Sequence, residues 1–411
     1  MSQISYNPVD DENVECPYPL FAALRREAPV HYSPELGYYL VTRYEDCVAV
    51  MLNTDAFKGF GPAPIGLELA EVCPADPRRL HRPQQGLGLA MSKEGAAYRR
   101  SRRLFNAALS PEVLAALEPD IRRIVGDLID QWIDAGTVEF IDRFASAVPA
   151  RVIAVMLGYP EADWQTYRRW ADSFIDAISG LVLPDGREQE VMAERAATLA
   201  FQQERVAEQW EDPESFVGRL RRIRHHDDVP STREELASLS LSLLTGGLDT
   251  TTNLLGNAMY ELASRPGHWQ RLRRTPALIP NMIEEALRHE PPTTGLYRSC
   301  VADTEVGGTL IPRGAGLMVC FASGNRDEAQ FPEPESFDME RDNARANISF
   351  GKGMRFCPGA PLARLEGRIA FEELTRRLAD VRLSPSRNDF RHIPSLLFRR
   401  LQRLWLDVDA A

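Results

Sequence analysis

The sequence predicts a mainly α-helical fold with a smaller β-rich lobe, an α+β protein that forms one large domain over residues 1–411. Helical patterns of apolar residues dominate from 96 to 290 and return over 358–380. Short strand-like segments bounded by turn residues occur mainly in 30–60, 295–325 and 385–411. No linker, low-complexity run or repeat divides the chain, although its length alone would allow two or three domains.

The N-terminal part of the chain mixes helices and strands. Pro17–Pro29 predicts a short helix, His31–Arg43 predicts two strands around the turn at Pro34–Gly37, and Tyr44–Leu52 predicts a second helix. The segment Phe57–Lys93 that follows is rich in proline and glycine. So long an irregular stretch inside a domain is typical of a functional or mobile loop.

The C-terminal part returns to short strands and one long helix. Strands are predicted at Glu305–Val306, Thr309–Ile311 and Gly316–Phe321. Pro361–Ala379 has the apolar periodicity of an amphipathic helix. Leu396–Val408 alternates in polarity, which predicts a terminal hairpin.

Composition and charge limit the class of protein. The formal net charge of −11 disfavours nucleic acid as a partner. The six cysteines show no CxxC or CxxH spacing, which argues against a zinc site or a disulfide framework. Met1–Asp11 lacks the basic head and apolar core of a signal peptide, and no stretch approaches the roughly 20 apolar residues that span a bilayer. We therefore expect a cytoplasmic, monomeric protein without a membrane anchor.

One long helical pattern covers residues 233–265 and is apolar almost all round, which predicts a buried central helix. Gly246 and Gly247 weaken it by roughly 1 kcal/mol each relative to alanine. Because Asp249 and Thr250 follow at once, we expect a local bulge or kink. The feature is either a groove in which a hydroxyl and a carboxyl handle protons, or a close helix contact with a satisfied polar pair.

Cys357 ends a loop punctuated by glycines and comes just before the last helix. The unpaired N–H groups and the dipole at a helix N-terminus favour a thiolate. Gly351, Gly353 and Gly359 allow a positive φ or a close approach to a flat, bulky group. A thiolate in such a cradle suits the axial position of an iron porphyrin, although a lone cysteine is more often buried and inert.

The surrounding motifs resemble those of the cytochrome P-450 family. Phe350–Gly359 fits the haem-binding signature Phe-x-x-Gly-x-Arg-x-Cys-x-Gly at every fixed position. Three further family signatures follow the family's order: Gly246–Thr251, Glu285–Arg288, and Asn325–Asp327 followed by Phe331–Pro332. The chain is thus similar, over nearly its whole length, to bacterial-type soluble haem-thiolate monooxygenases, and the resemblance implies the cytochrome P-450 fold.

The resemblance assigns roles at the reaction centre. It implies haem b as the cofactor and Cys357 as the axial ligand of its iron. Phe350, Gly351 and Gly359 would shape the loop that holds the haem. Thr250 occupies the family's alcohol position and Asp249 its acid position, so this pair would guide protons to the oxygen that is being activated.

The same resemblance implies partners for the two haem propionates, which need cationic or hydroxyl groups. Arg355 is the first candidate, and Arg298 occupies the position of a propionate-binding arginine. Tyr98 and Arg102 correspond to a His-x-x-x-Arg pattern in which tyrosine replaces the histidine, and they share one helix face. The arginines around Tyr98 could instead form a solvated basic face.

Glu285 and Arg288 share a helix face at i and i+3, where an ordinary surface pair contributes little. The resemblance implies a buried structural pair that helps to hold the cysteine loop. A third basic residue is expected at position 336, where this chain has serine. Arg341 is a candidate replacement.

A basic patch of Arg99, Arg100, Arg103 and Lys352 would steer a small acidic electron donor to the face nearest Cys357. The resemblance implies a ferredoxin, supplied from NAD(P)H by a ferredoxin reductase. Clusters of arginine are also common on surfaces without any partner.

By position, the resemblance places a lipophilic pocket around parts of the chain that are mostly apolar. The candidate substrate contacts are Leu243, Leu244, Gly247, Thr293, Thr294, Leu296 and Leu397, with parts of Phe60–Leu89 and Phe174–Leu183 and with Leu396. Arg79, His81 and Arg82 could anchor a carboxylate, although solvent exposure is the preferred interpretation.

The function that follows is insertion of one oxygen atom of O2 into a C–H bond of a lipophilic small molecule. A peroxide-driven peroxygenase is one alternative, but such enzymes often lack the acid–alcohol pair that Asp249 and Thr250 provide. A haem carrier or sensor without turnover is another, and such proteins seldom need a proton relay.

Overall fold

The computed structural model of the protein describes residues 10–34, 36–59, 94–178, 186–225, 229–395 and 397–411. Helices make up most of this part of the chain. The α-helices are α1 (Asp11–Glu15), α2 (Tyr18–Glu27), α3 (Tyr44–Leu52), α4 (Gly95–Ala108), α5 (Pro111–Asp130), α6 (Ala147–Leu157), α7 (Trp164–Ile178), α8 (Arg187–Gln209), α9 (Phe216–Leu220), α10 (Arg233–Ser264), α11 (His268–Arg274), α12 (Ile279–His289), α13 (Phe321–Gly324) and α14 (Ala360–Arg377).

The strands are short and fall into three sheets. They are β1 (Val30–Ser33), β2 (Tyr38–Val41), β3 (Phe57–Lys58), β4 (Thr137–Glu139), β5 (Leu296–Cys300), β6 (Thr304–Val306), β7 (Thr309–Ile311), β8 (Gly316–Val319), β9 (Leu378–Leu383) and β10 (Trp405–Ala410). The predicted mainly helical architecture with a smaller β-rich part is confirmed.

The largest sheet joins two distant parts of the chain. Its strand order is β1-β2-β8-β5-β3, with β2 and β8 parallel and the other neighbours antiparallel. The sequence therefore predicted correctly that strands of 30–60 and 295–325 occur, and the structure pairs them. The strand predicted over Gly316–Phe321 ends at Val319, because Phe321 already begins α13.

The predicted terminal hairpin over Leu396–Val408 is wrong. Strand β10 begins only at Trp405 and pairs with β4 and β9 in a separate three-stranded sheet. Before it, the described residues 397–404 form isolated bridges, from Phe398 to Thr293 and from Leu401 to His392. Leu404, Leu406 and Val408 are buried in the same core as the helices, so the alternation in this segment reflects helix packing as well as strand pairing.

Helix α10 runs through the main hydrophobic core, as predicted. A capping box of Thr232 and Glu235 fixes its N-terminus, because each side chain accepts a hydrogen bond from the other residue's backbone N–H. Most of its 32 residues face other helices, chiefly α6, α7, α8, α12 and α14. A helix so surrounded is a rigid support for any side chains that it presents to a cavity.

The predicted interruption of this helix at Gly246 and Gly247 is wrong. The helix is continuous from Arg233 to Ser264. The Thr250 hydroxyl donates a hydrogen bond of 2.7 Å to the carbonyl oxygen of Gly246, one turn earlier. Such a bond satisfies the hydroxyl without breaking the backbone ladder, so no bulge is required.

No helix in the described ranges is long and apolar enough to cross a lipid bilayer.

Candidate active site

The loop before α14 presents the Cys357 side chain after two turns that need glycine. Gly351 and Gly353 have φ of +72° and +68°, values that a residue with a side chain rarely adopts. Gly359 has an ordinary φ, and a Cβ there would lie 3.7 Å from the Cys357 sulfur. The Cys357 N–H donates to the Phe350 carbonyl at 2.8 Å, which closes the loop. The structure thus confirms the predicted positive φ for two of the three glycines.

The electrostatics of the sulfur differ from the prediction. Burial raises the pKa of the Cys357 thiol above its usual value, against the opposing effect of the Gly359 and Ala360 backbone N–H groups and of Arg102 and Arg364. The helix N-terminus therefore does not by itself produce a thiolate here, because desolvation outweighs it. A bound metal cation would reverse that balance, since a coordinating thiol loses its proton.

A cavity of about 170 Å³ separates the cysteine loop from α10. The loop contributes Phe350, Cys357, Pro358 and Gly359, while α14 contributes Leu362, Ala363 and Glu366. The opposite wall is formed by α10 residues Ser242, Leu243, Gly246, Gly247, Thr250 and Thr251. The predicted ligand and the predicted alcohol therefore line one space, as an iron site between them requires.

The α10 wall is open because it carries glycine. A Cβ at Gly246 would meet no atom within 4 Å, whereas a Cβ at Gly247 would lie 3.1 Å from Ile153. Gly246 and Thr250 are one turn apart and share the cavity face. Gly246 thus leaves room in front of the Thr250 hydroxyl, and Gly247 allows α6 to pack closely.

Asp249 lies next to Thr250 but points to a different set of partners. The residue is buried, and its carboxylate pairs with Arg400 at 2.5 Å and accepts a hydrogen bond of 3.3 Å from Asn253. Arg400 also pairs with Asp172 of α7 at 2.9 Å. The acid of the predicted relay is therefore held by a charged network that leads toward the protein surface.

Two arginines lie where propionate partners were predicted. Arg298 on β5 is buried, donates to the Tyr297 carbonyl at 2.8 Å and pairs with no described carboxylate. Burial and the nearby charge of Arg355 lower the pKa of Arg298 to about 10. Arg355 pairs with Glu94 and stacks over the Tyr98 ring at 4.6 Å. A buried cation with no carboxylate partner among the described residues fits an anionic group such as a haem propionate.

Tyr98 and Arg102 lie on one face of α4, as predicted, but both donate to the cysteine loop. The Tyr98 hydroxyl bonds the Met354 carbonyl at 2.7 Å, and Arg102 bonds the Phe356 carbonyl. Their contacts in the structure brace the loop on either side of Arg355. Their assignment to the propionates stays a prediction.

The predicted Glu285–Arg288 pair is fully buried, with N–O distances of 2.7 and 2.8 Å. Arg341 completes the network that Ser336 leaves open, since its Nε lies 3.0 Å from a Glu285 oxygen. Arg341 also donates to the carbonyl of Ser336 at 2.9 Å. The third cation is therefore supplied five residues later in the chain.

This network reaches the cysteine loop through one intermediate residue, which is consistent with the predicted role of helping to hold the loop. Arg288 donates to the Asn325 carbonyl at 3.0 Å. The Asn325 side chain in turn donates to Ser349 at 2.8 Å and accepts from the Ile348 N–H at 2.8 Å. Asn325 is thus the connection between the buried ion pairs and the segment that begins the loop.

Glu366 is a site residue that the sequence analysis missed. It lies nine residues after Cys357, is buried on the cavity side of α14, and its Oε2 has no described hydrogen-bond partner. Burial raises its pKa to about 8. A glutamate at a buried helix position, one turn after Leu362, was the signal that could have identified it.

The predicted substrate contacts are only partly together. Leu243 and Gly247 line the cavity with Cys357, whereas Leu244 is buried in the main core. Leu397 is buried beside Phe174 in a second core and accepts a bond from the Thr294 N–H at 2.8 Å. Thr293 and Leu296 lie in the adjoining β-rich part. The predicted contacts that lie outside the described residues are Phe60–Leu89, with Arg79, His81 and Arg82, the 179–183 part of Phe174–Leu183, and Leu396.

The predicted basic patch loses one member. Arg100 pairs with Glu235 at 2.7 Å and bonds the Pro230 carbonyl, so its charge is neutralised beside α10. Arg99 and Arg103 are exposed, one turn apart on α4. Lys352 is half-buried, and burial and Arg364 lower its pKa.

A second polar cluster lies away from Cys357, on the wall of a cavity of about 780 Å³. Glu261, His289 and Glu290 are close enough to share a metal ion. The Arg326 guanidinium, however, lies 3.4 Å from His289 Nδ1 and 3.3 Å from a Glu290 oxygen. The arginine already supplies the positive charge that this cluster needs.

Comparison with known proteins gives a consistent result. Residues 277–389 match the family described as Cytochrome P450. The chain is 30% identical to 6-deoxyerythronolide B hydroxylase of Saccharopolyspora erythraea, over 95% of this chain and 96% of that protein. It is 32% identical to the cytochrome P450 monooxygenase PikC of Streptomyces venezuelae, over 94% of this chain and 90% of that one.

Solved structures agree with the sequence relatives. Cytochrome P450 CREJ in complex with (4-ethylphenyl) dihydrogen phosphate superposes with a TM-score of 0.86 at 29% identity, and covers 98% of this chain and 99% of its own. P450BioI in complex with an acyl carrier protein carrying hexadec-9Z-enoic acid gives a TM-score of 0.84 at 27% identity, with 97% and 100% covered.

Proposed function

The chain belongs to the cytochrome P450 family and is a monooxygenase of that family, and from this premise we propose that Cys357 binds the iron of a haem b and that the enzyme hydroxylates a lipophilic small molecule. One observation carries the proposal. The Cys357 sulfur shares a cavity with Thr250, beside an α10 wall that Gly246 leaves open.

The protein's own groups have separate tasks around this centre. Haem bound here would supply the activation of O2 and the insertion of one oxygen atom into a C–H bond. Cys357 would hold the iron, the loop glycines would leave room for the ring, and buried Arg298 would neutralise a propionate. Apolar residues of α10 and α14 line much of the cavity, so polar groups beside them are less screened than in bulk water.

Proton delivery falls to Thr250 and Asp249. The Thr250 hydroxyl, now bonded to the Gly246 carbonyl, faces the cavity and can donate to a group in front of Gly246. Asp249 is the adjacent acid, and Arg400 and Asn253 hold its carboxylate. Protons from the surface would reach Thr250 through this carboxylate.

Electrons would come from NAD(P)H in the cytoplasm through a ferredoxin reductase and a ferredoxin. Exposed Arg99 and Arg103 on α4 support docking of an acidic donor, because the same helix braces the cysteine loop through Tyr98 and Arg102. The enzyme would act as a monomer.

Among lipophilic substrates, polyketide lactones are the first class to test. Several similar proteins carry names of this chemistry, including erythromycin C-12 hydroxylase, at 32% identity, and mycinamicin IV hydroxylase/epoxidase, at 31%. The apolar cavity wall of Leu243, Leu362 and Phe105 suits such ligands.

The test uses purified holoprotein. Carbon monoxide added to the reduced protein should give the red-shifted absorption of thiolate-ligated iron, and a polyketide panel should include compounds that change the ferric spin state. With a reductase and ferredoxin, such a compound should be hydroxylated as NADH is consumed. Absence of porphyrin, or turnover as fast with hydrogen peroxide alone as with the full electron chain, would contradict the proposal.

A further inference from the structure

An ion pair between α12 and α14 lies directly behind the cysteine loop. Arg364 is seven residues after Cys357, and its guanidinium contacts both carboxylate oxygens of Glu284 at 2.6 and 3.1 Å. The Glu284 side chain is only 4% exposed, whereas that of Arg364 is 35% exposed. The pair therefore has one buried and one surface-facing member.

The pair touches the loop at two points. The Arg364 guanidinium stacks over the Phe350 ring at 4.6 Å, and Phe350 lines the cavity and accepts the Cys357 N–H at 2.8 Å. Glu284 accepts a bond of 3.1 Å from the Asn347 side chain, three residues before Phe350. Arg364 and Glu284 therefore contact opposite ends of the segment that leads into the sulfur-bearing turn.

The two charges are opposite and nearly in contact, so each reduces the effect of the other on its surroundings, and the positive charge of Arg364 still lowers the pKa of the Cys357 thiol. Arg364 alone would act across the apolar Phe350 ring, and Glu284 alone would act from a buried position where water screens its charge poorly. Reduction of a thiolate-bound iron adds one negative charge to the site, which a nearby cation favours and a nearby anion opposes. Charge and hydrogen bonding close to the sulfur are among the factors that set the reduction potential of a thiolate-bound iron.

We infer that the Glu284–Arg364 pair is a positioning pair that sets the reduction potential of the iron held by Cys357, acting through Phe350. The inference rests on the proposed function, since it needs a thiolate-bound haem. The inference predicts the direction in which each substitution shifts the reduction potential. Loss of the cation should lower the potential, loss of the anion should raise it, and loss of both should return it close to the parent value.

The experiment measures the reduction potential of the haem by spectroelectrochemistry in the parent, Arg364→Gln, Glu284→Gln and the double variant. Arg364→Lys keeps the charge and should stay near the parent. Arg368→Gln and Glu118→Gln remove a more exposed pair, 2.9 Å apart and one turn further along α14, and should leave the potential unchanged.

A merely structural role gives a different pattern. If the pair only braces the loop, both single variants should shift the potential in the same direction, and the double variant should shift it furthest. That result, or equal potentials in all variants, would overturn the inference. A parent protein without the thiolate-type carbon monoxide spectrum would instead overturn the proposed function, which the same samples report separately.

Discussion

The Thr250 hydroxyl has two possible hydrogen-bond partners, the backbone of its own helix and a ligand in the cavity. In the structure its hydroxyl donates back to the Gly246 carbonyl and faces a cavity. Turning that donor toward a ligand costs one hydrogen bond of ordinary strength, about 1 kcal/mol. The hydroxyl is therefore satisfied at rest, and in the proposed mechanism it would turn toward the ligand and donate a proton.

Thr250→Ala should retain haem and substrate binding yet lose coupling of NADH oxidation to product by at least about tenfold, because the proton donor in front of Gly246 is gone. Reducing equivalents should appear as hydrogen peroxide. Thr245→Ala is the matched control, since its buried hydroxyl bonds the Leu241 carbonyl and does not line the cavity. Unchanged coupling in Thr250→Ala would refute the assigned role.

Arg298→Ala should release haem faster than the parent, by about 10- to 100-fold, if a charge-assisted bond to a propionate is lost. Transfer of haem to excess apomyoglobin measures the rate. Arg298→Lys keeps a cation and should be intermediate, and exposed Arg103→Ala should match the parent. Equal rates in the parent and Arg298→Ala would remove Arg298 from the haem site.

Glu366 should make stability depend on pH. Its pKa of about 8 in the folded protein lies above the ordinary value of 4.5, so the folded state holds a proton that the unfolded chain has released. The contribution of Glu366 to the free energy of unfolding is complete below its pKa in the unfolded chain. It is lost as the pH rises through its pKa in the folded protein, by about 1 kcal/mol per pH unit. Urea unfolding of Glu366→Gln should lack this slope.

The control for that experiment is Glu188→Gln, a glutamate exposed on α8. It should keep the pH slope of the parent. If Glu366→Gln also keeps it, the carboxyl is ionised in the folded protein and has a partner that the described contacts do not include.

At the scale of elements, the Glu285–Arg288–Arg341 network connects α12 to the irregular segment before the cysteine loop. Removing one partner of a buried ion pair leaves an uncompensated charge. Arg341→Ala should therefore lower the free energy of unfolding by about 3 kcal/mol, measured by chemical denaturation of the holoprotein. Arg345→Ala, exposed four residues later, should change it little. A loss equal to that control would show that Arg288 alone neutralises Glu285.

Helices and strands with clear local signals could be predicted from the sequence, whereas the segments with which they pair often could not. Tyr44–Leu52 and the 304–311 hairpin follow from local turn and periodicity signals. The alternation before β10 reports burial but not which strand pairs with it, so the terminal hairpin was wrong. A threonine that bonds back to its own helix leaves no local sign in the sequence, so the predicted bulge was wrong too.

The candidate site divides in the same way. That Cys357 lies near Thr250 and Gly246 could be predicted from the family signatures that contain them, because each signature supplies one wall of the cavity. The partner of Arg355 could not, since Glu94 lies 261 positions earlier in the chain. The position of Glu366 on the buried side of α14 could be predicted from its spacing to Leu362, but its lack of a described partner could not.

At the scale of the whole molecule, an acidic protein with a local basic face should dock an acidic donor in a salt-dependent way. The replacement of both Arg99 and Arg103 by Glu should raise the ferredoxin KM and flatten its dependence on ionic strength, with little change in substrate-induced spin shift. Arg273→Glu on α11, also exposed, is the control. Parent-like kinetics in the double variant would place the donor elsewhere.

Asn325 lies at a junction that has practical weight for protein engineering. The Asn325 carbonyl accepts a bond from Arg288, and its side chain bonds Ile348 and Ser349. A mutant library that randomises position 325 would therefore be expected to weaken haem retention without changing a residue that lines the Cys357 cavity. Campaigns aimed at new substrates should vary Leu243 and its neighbours on α10 and keep position 325 fixed. A colourless variant from such a library has lost its haem. A weakened Asn325 connection would explain that loss better than an altered substrate pocket would.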